Sequence, residues 1–95
     1  MSDPYDQRAV DDALAGLDGW AGGPDALTKT YEFESFVAAM AFLHRATGPV
    51  DEMNHHPEWT NVYSRVDVRL TSHDAGGVTD ADVRLAGLLD DLARA

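Results

Sequence analysis

The sequence predicts one α+β domain over residues 1–95, in which an antiparallel four-stranded sheet is covered on one face by about three helices. Apolar residues recur at helical spacing in three stretches, near residues 4–18, 35–47 and 79–92. Two other stretches alternate apolar and polar residues, as half-buried strands do. No repeat, linker or low-complexity tract divides the chain. The predicted order is therefore helix, hairpin, helix, strands, helix.

The first helix is predicted over residues 4–18. Ser2 or Asp3 can cap it, and Pro4 suits the first turn, where a backbone N–H has no helical partner. Its apolar stripe consists of Val10, Leu14 and Leu17.

A β-hairpin is predicted next, with its turn at Gly22-Gly23-Pro24-Asp25. A short strand near Trp20 precedes the turn, and a longer strand from about Ala26 to Glu34 follows it. Lys29 interrupts the apolar face of the longer strand, which indicates an exposed end or a position in a pocket.

Ser35 can cap the second helix, whose apolar spacing continues to about Thr47. Gly48-Pro49 is predicted to break or kink this helix, because proline lacks an amide hydrogen and its ring clashes with the carbonyl four residues back. The predicted break lies just before Asp51 and affects where that carboxylate points.

Residues 59–72 alternate again, but they are too many for one typical strand, so a bend or turn is predicted near Ser64-Arg65. Thr79 is expected to open the last helix, with Asp82 three residues later as an acidic variant of the capping box. The apolar parity of the alternating stretch consists of Val62, Val66, Val68 and Leu70.

Composition excludes several function classes. The absence of cysteine excludes disulfides and thiolate sites. Seven basic and seventeen acidic residues give a net charge of −10, which argues against nucleic acid or an anionic membrane as a direct partner. No apolar run approaches the roughly 20 residues that span a bilayer, and no signal peptide is visible. A cytoplasmic protein is predicted, and the small size favours a homodimer or homotetramer.

The stretch DEMNHHPEW, which begins at Asp51, carries most of the titratable groups of interest. Pro57 favours extended backbone at His56, so the rings of His55 and His56 are expected to point to opposite faces. Asp51 precedes His55 by four residues, and one helical turn would bring its carboxylate near that ring. His73 follows at the end of a strand. Because histidine exchanges protons near neutral pH, these residues indicate acid/base chemistry or a metal site.

The spacing of these groups resembles the signature of the pterin-4a-carbinolamine dehydratase family: Asp51-x3-His55-His56-Pro57-x5-Tyr63-x9-His73-x8-Asp82. The segment NHHPEWTNVYSRV, residues 54–66, is similar to the family's most recognisable line. Trp20 and the run Leu27-x-Lys-x-Tyr-x-Phe33 fit the family's upstream pattern, so the resemblance covers roughly residues 14–93. The family fold, a four-stranded sheet covered by a helical layer, agrees with the predicted one.

The resemblance implies a dehydratase that converts a 4a-hydroxytetrahydropterin to a quinonoid dihydropterin and water in tetrahydropterin recycling, without a cofactor. Such an elimination needs an acid that protonates the departing oxygen and a base that accepts the ring-nitrogen proton. His55, oriented by Asp51, and His73 are the predicted proton-transferring residues. His56 is predicted to hold the substrate by hydrogen bonding.

Other residues of the signature have supporting roles in this prediction. Trp20 is expected to form an apolar wall against the flat pterin, with an ordinary core position as the alternative. Asp82 is expected to cap the last helix and also to hydrogen-bond an active-site group, while Pro57 fixes the loop. Together with His56 and Trp20, both are predicted substrate-binding residues. His44 lies outside the signature and is interpreted as a surface residue.

Two other functions stay open at the level of sequence. A pterin-binding or oligomeric protein-interaction module with little turnover is suggested by Asp51, where the family commonly has the longer glutamate, and by Gly48-Pro49. A metal site made of His55, His73 and Asp51 would leave one position open for water. Adjacent histidines are an uncommon ligand pair, however, and no HExxH spacing is present.

Overall fold

The computed structural model describes residues 3–95, so Ser2, one of the predicted caps, lies outside the described residues. Within that range the predicted α+β class and order of elements are confirmed. A short 3₁₀ turn, His73–Ala75, precedes the last helix. The helices and strands are α1 (Gln7–Leu14), β1 (Ala21–Gly23), β2 (Ala26–Glu32), α2 (Phe36–Met53), β3 (Glu58–Val62), β4 (Arg65–Leu70) and α3 (Asp80–Arg94).

The sheet has the strand order β1-β2-β4-β3, and each neighbouring pair is antiparallel. Leu27 pairs with Leu70 and Tyr31 with Val66, so the apolar sides of β2 and β4 lie on one face. That face is buried beneath the helices, while the opposite face carries threonines and charged residues. The core therefore lies between the sheet and the helical layer. Its larger fully buried side chains are Phe42, Leu27, Leu70, Leu85, Leu89, Val10, Val66 and Val78.

Helix α1 is shorter than predicted and does not occupy residues 4–18. Asp6, rather than Asp3, is its N-cap and accepts a hydrogen bond from an amide of the first turn at 2.9 Å. The segment before Asp6 contacts the loop that precedes α3, because the amide of Tyr5 donates to the carbonyl of Val78 at 2.7 Å. A long-range backbone contact thus delays the helix start.

Helix α2 continues through Pro49 to Met53, so the predicted break at Gly48-Pro49 is wrong. Proline in a helix interior costs about 3 kcal/mol. Ala46 and Val50 lie on the same face of the helix and are 0% and 4% exposed. Burying a valine side chain contributes about 1.5–3 kcal/mol, so the packing of this last part of the helix offsets the proline.

Both of the other predicted helix caps are confirmed. The hydroxyl of Ser35 accepts a hydrogen bond from the amide of Ala38 at 3.0 Å. Thr79 and Asp82 form the predicted capping box of α3. Across residues 3–95, no helix has the length and apolar character needed to cross a membrane.

Strands β3 and β4 form a hairpin whose turn is Tyr63-Ser64, one residue before the predicted position. A two-residue turn places Val62 directly opposite Arg65, so both side chains lie on the helix-free face. Val62 is accordingly 52% exposed. The prediction that Val62 shares the buried side of Val66 is therefore wrong, because the turn changes the parity.

Candidate active site

A cleft opens at the end of the sheet where α2 and β4 end and α3 begins. Its volume is about 460 Å³, in the range of small-molecule sites. Three imidazoles line it together with hydroxyl and amide groups, and we call it the histidine cleft. Its lining residues are Asn54, His55, His56, Thr71, Ser72, His73, Asp74, Ala75, Thr79 and Ala81.

Asn54 sets the direction of the two adjacent histidines. Its backbone is left-handed, with φ 54° and ψ 37°, and its amide donates to the carbonyl of Asp51 at 3.0 Å. Asparagine tolerates this conformation better than most residues and often ends helices in this way. The chain therefore leaves α2 at Asn54, and His55 and His56 lie on the segment that leads to β3.

The loop between β4 and α3 is fixed on the other side of the cleft. The amide of Val78 donates to the carbonyl of Pro24 in the β1–β2 turn at 2.8 Å. A Cβ atom at Gly77 would lie 2.4 Å from the same oxygen, so only glycine permits this close approach. The loop is thereby attached to a hairpin that belongs to the sheet.

His55 contacts a buried carboxylate. Its Nε2 lies 2.6 Å from Oδ1 of Asp82, whose side chain is 0% exposed, while the His55 side chain is 19% exposed. Because the carboxylate accepts this hydrogen bond, Nε2 carries the proton. In neutral His55 the other nitrogen, Nδ1, is therefore unprotonated and can accept a proton.

Asp82 is held by two further hydrogen bonds, both on its second oxygen. Oδ2 accepts from the amide of Thr79 at 2.9 Å and from the hydroxyl of Ser72 at 2.8 Å. The N-terminus of α3 also stabilises negative charge at this position through the helix dipole. The cap of α3 and the support of His55 are thus one carboxylate.

Asp51 does not contact His55 as the sequence predicted. Its Oδ1 lies 3.1 Å from Nε2 of His56, and both side chains are well exposed, at 81% and 61%. The predicted contact required a helical turn between residues 51 and 55, but Asn54 ends the helix first. The carboxylate beside His55 is therefore that of Asp82, and the predicted contact of Asp51 with His55 is wrong.

His73 enters the cleft from the 3₁₀ turn and is its most exposed imidazole, at 78%. Its Nε2 lies 3.8 Å from Oε2 of Glu58, which is too far for a hydrogen bond but within ion-pair range. Glu58 in turn accepts a hydrogen bond from Arg69 at 2.8 Å. The three histidines therefore share one cleft but differ in burial and in carboxylate partner.

Three of the predicted substrate-binding residues do not line the cleft, namely Trp20, Pro57 and the buried Asp82. Trp20 is 6% exposed and donates its indole N–H to Asp90, about 12 Å along α3 from Asp82 at 1.5 Å per residue. Its place is the core, the alternative that the sequence left open. Pro57 lies between His56 and β3 but does not line the cleft.

Sequence patterns did not indicate Ser72, which lines the cleft and bonds the carboxylate behind His55. It lies between a strand and a helix, where neither period 2 nor period 3.6 identifies an inward-facing side chain. Its position two residues beyond β4 and beside His73 was the only signal.

The alternative metal site has no ligand arrangement in the described structure. Within residues 3–95 no three histidine, aspartate or glutamate side chains are placed so that they could share a metal ion. His55 and Asp51 in particular have different partners. His44 is exposed on α2 and lies outside the residues that line the cleft.

A second buried carboxylate, that of Asp90, lies further along α3. It accepts hydrogen bonds from Trp20 Nε1 at 3.1 Å, from Lys29 Nζ at 2.8 Å and from the Tyr31 hydroxyl at 2.5 Å. The Lys29 ammonium also donates to the carbonyl of Asp18 at 2.9 Å. Burial and the hydrogen bond to Asp90 raise the pKa of Tyr31 well above its usual value. Lys29 thus interrupts the apolar face of β2 in order to pair with Asp90.

Comparison with known proteins adds a family match. The family model described as "Pterin 4 alpha carbinolamine dehydratase" matches residues 3–92. A "Putative pterin-4-alpha-carbinolamine dehydratase" from Rhizobium rhizogenes is 51% identical over 87 residues, which are 90% of this chain and 86% of the relative. A protein of the same name from Opitutus terrae is 56% identical over 81 residues, 84% of each chain.

Solved structures show the same likeness. A crystal structure from Brucella melitensis, described as a transcriptional coactivator/pterin dehydratase, has a TM-score of 0.91 and 34% identity, and the match covers 96% of this chain and 99% of that one. A pterin dehydratase-like protein identified as a RuBisCO assembly factor in the α-carboxysome has a TM-score of 0.64 and 27% identity, covering 78% and 86%.

Proposed function

This chain belongs to the pterin-4a-carbinolamine dehydratase family, and from that premise we propose that it is a hydro-lyase acting on a 4a-hydroxytetrahydropterin. The products are a quinonoid dihydropterin and water, which makes the reaction a step in tetrahydropterin recycling. The observation that carries the proposal is the convergence of His55, His56 and His73 on one cleft. Acid/base side chains alone suffice for this reaction.

The reaction removes a proton from nitrogen and delivers a proton to oxygen, while one electron pair forms the C4a=N5 bond and the C4a–oxygen bonding pair leaves with the oxygen. The N5–H bond of the pterin gives up its proton, and the nitrogen electron pair forms the C4a=N5 double bond. The C4a–oxygen bond breaks, and the oxygen takes a proton and leaves as water. A positioned acid and base each contribute about 10²–10⁴ in rate to such a step.

We assign the base to His55. Its Nε2–H is donated to Asp82, so Nδ1 is the nitrogen that can take the N5 proton. The imidazolium formed in this step is then stabilised by the Asp82 carboxylate at 2.6 Å. The ring is only 19% exposed, which limits competition by water.

We assign the acid to His73. Its Nε2 lies 3.8 Å from Oε2 of Glu58, so the protonated ring has a carboxylate within ion-pair range. Its high exposure lets it recover a proton from water after each turnover. His56, paired with the exposed Asp51, is assigned to substrate binding by hydrogen bonding.

The test is kinetic. The carbinolamine is generated in situ, and the dihydropterin absorbance is followed with the wild type, His55→Ala and His73→Ala. We expect each variant to lose about 10²–10⁴ in kcat. His44→Ala, an exposed histidine outside the cleft, is the matched control. A wild-type chain that adds nothing to the spontaneous rate would refute the proposal.

A second candidate function is a pterin-binding or oligomeric interaction module with little turnover. The observation in its favour is the 27% identical structure described as a RuBisCO assembly factor. The supposed break before Asp51, which suggested this alternative from the sequence, does not exist. A chain that binds a reduced pterin in calorimetry without turning over the carbinolamine would support the module and exclude the enzyme.

A further inference from the structure

Ser72 lies where the two sides of the histidine cleft meet. Its carbonyl accepts hydrogen bonds from the amides of Ala75, Gly76 and Gly77 at 3.1–3.2 Å, and its own amide donates to the carbonyl of Gly77 at 3.1 Å. The next residue is His73. The backbone of Ser72 is therefore fixed, and the loop that carries His73 starts from a defined position.

The hydroxyl of Ser72 does not cap the 3₁₀ turn that follows it. Ser72 precedes a 3₁₀ turn, a position from which serine commonly caps, yet it makes no side-chain cap hydrogen bond there. Its Oγ instead donates to Oδ2 of Asp82 at 2.8 Å. Thr79 Oγ1 lies 2.8 Å from Ser72 Oγ, and since the serine hydrogen is already used, the threonine hydroxyl is the donor.

The two oxygens of Asp82 have different hydrogen-bond partners. Oδ1 faces Nε2 of His55, whereas Oδ2 accepts from Ser72 and from the Thr79 amide. Rotation of the carboxylate would break both bonds on Oδ2. Without the serine hydroxyl, one amide alone would restrain this oxygen in a buried position.

We propose that Ser72 is a positioning residue that acts through Asp82 to hold His55 as its Nε2–H tautomer, with Nδ1 free to act as the base. The inference rests on the proposed dehydratase function and deepens it. Ser72 also joins the two halves of the site, because its side chain holds the partner of His55 while its backbone holds the loop of His73. No contact between Ser72 and the substrate is needed for this role.

The kinetic test compares Ser72→Ala with Ser72→Thr. A hydrogen bond to a charged group is worth about tenfold or more, so Ser72→Ala should lower kcat at least tenfold with KM within about twofold. Ser72→Thr keeps a hydroxyl and should recover most of the rate. Ser64→Ala, in the β3–β4 turn at the other end of β4, is the matched control and should behave as the wild type. An unchanged kcat, or a change confined to KM, would overturn the proposal.

A spectroscopic test is independent of turnover. Long-range ¹H–¹⁵N spectra report which ring nitrogen of His55 carries the proton. We expect the Nε2–H tautomer in the wild type and in Ser72→Thr, and a mixture of tautomers in Ser72→Ala with an unchanged circular dichroism spectrum. If Ser72→Ala keeps the pure tautomer, the inference is wrong even if the enzyme is active. If the wild type is inactive but the tautomer of His55 still changes between the wild type and Ser72→Ala, the proposed reaction fails while the positioning role stands.

Discussion

Helix α3 carries two buried carboxylates that differ in their surroundings. Asp82 and Asp90 are 0% and 9% exposed, and they lie eight residues apart on the same helix. The donors around Asp82 are a backbone amide, a hydroxyl and an imidazole. The donors around Asp90 are an indole, an ammonium and a phenol. Neither carboxylate lacks hydrogen-bond partners, so burial alone does not distinguish them.

The difference lies in the partner that can exchange protons at neutral pH. Asp82 bonds His55, which borders an open cleft, and imidazole is the side chain suited to proton transfer in that pH range. Asp90 bonds Lys29 and Tyr31, and a phenol keeps its proton at neutral pH even at its ordinary pKa of about 10. Under the proposed function, one buried carboxylate would support proton transfer and the other the stability of the fold, according to their neighbours.

The largest expected effect separates the two carboxylates by activity. Asp82→Asn replaces the acceptor of His55 Nε2–H, and we expect kcat to fall at least about 100-fold, the lower end of acid/base contributions. Asp90→Asn, away from the cleft, should keep kcat within about twofold. Turnover of the carbinolamine at a fixed pH, with circular dichroism as a folding check, gives both values. Equal losses in the two variants would remove the distinction.

The second effect is on the free energy of unfolding, and here the Asp90 substitution has the large effect. Asp90→Ala leaves the mostly buried Lys29 ammonium and the Tyr31 hydroxyl without their carboxylate. Removing one partner of a buried ion pair costs about 3–5 kcal/mol in the free energy of unfolding. Asp91→Ala, at a side chain that is 73% exposed, is the matched control and should change it by less than about 0.5 kcal/mol. Urea unfolding measures both, and a loss below 1 kcal/mol for Asp90→Ala would contradict the structural role.

Local signals in the sequence predicted much of the fold. The caps at Ser35 and Thr79 act within three residues, so they could be recognised without a structure. The break predicted at Pro49 was wrong because the effect of this proline on α2 depends on the burial of Val50 against distant elements. Local rules predict an element where local energies decide, and they fail where tertiary packing outweighs them.

The candidate site divides in the same way. The sequence indicated the histidines and a hydrogen bond from Asp82 to an active-site group, but it paired His55 with Asp51, whereas the partner of His55 is Asp82, 27 residues away. The choice depends on the left-handed Asn54 and on the attachment of the β4–α3 loop to the β1–β2 turn. Such contacts have no periodic signal, and Ser72 could not be predicted for the same reason.

A smaller effect concerns pH and Tyr31. The pKa of Tyr31 in the folded state is raised above the unfolded value of about 10. The stabilisation that its protonated hydroxyl provides is therefore fully present below about pH 10. Above pH 10 the unfolded chain loses the phenolic proton and the folded chain keeps it, so stability falls as pH rises. We expect Tyr31→Phe to be less stable at pH 7 by about 1–2 kcal/mol but to show a shallower alkaline decline, by up to about 1.4 kcal/mol per pH unit. Urea unfolding between pH 8 and 11 checks this, with the exposed Tyr63→Phe as the control. Parallel pH profiles for wild type and Tyr31→Phe would contradict it.

The smallest effect is expected for Asp51, the carboxylate that the sequence favoured. Its contact with His56 joins two exposed side chains, and exposed ion pairs contribute about 0–1 kcal/mol. Asp51→Ala should therefore change the free energy of unfolding by less than about 0.5 kcal/mol and kcat by less than threefold. Any loss of activity should appear as a higher KM, since His56, the ring that Asp51 contacts, is the one assigned to substrate binding. A 100-fold loss of kcat would mean that Asp51, and not Asp82, supports the base, and the contrast between the two ends of α3 would then have no functional meaning.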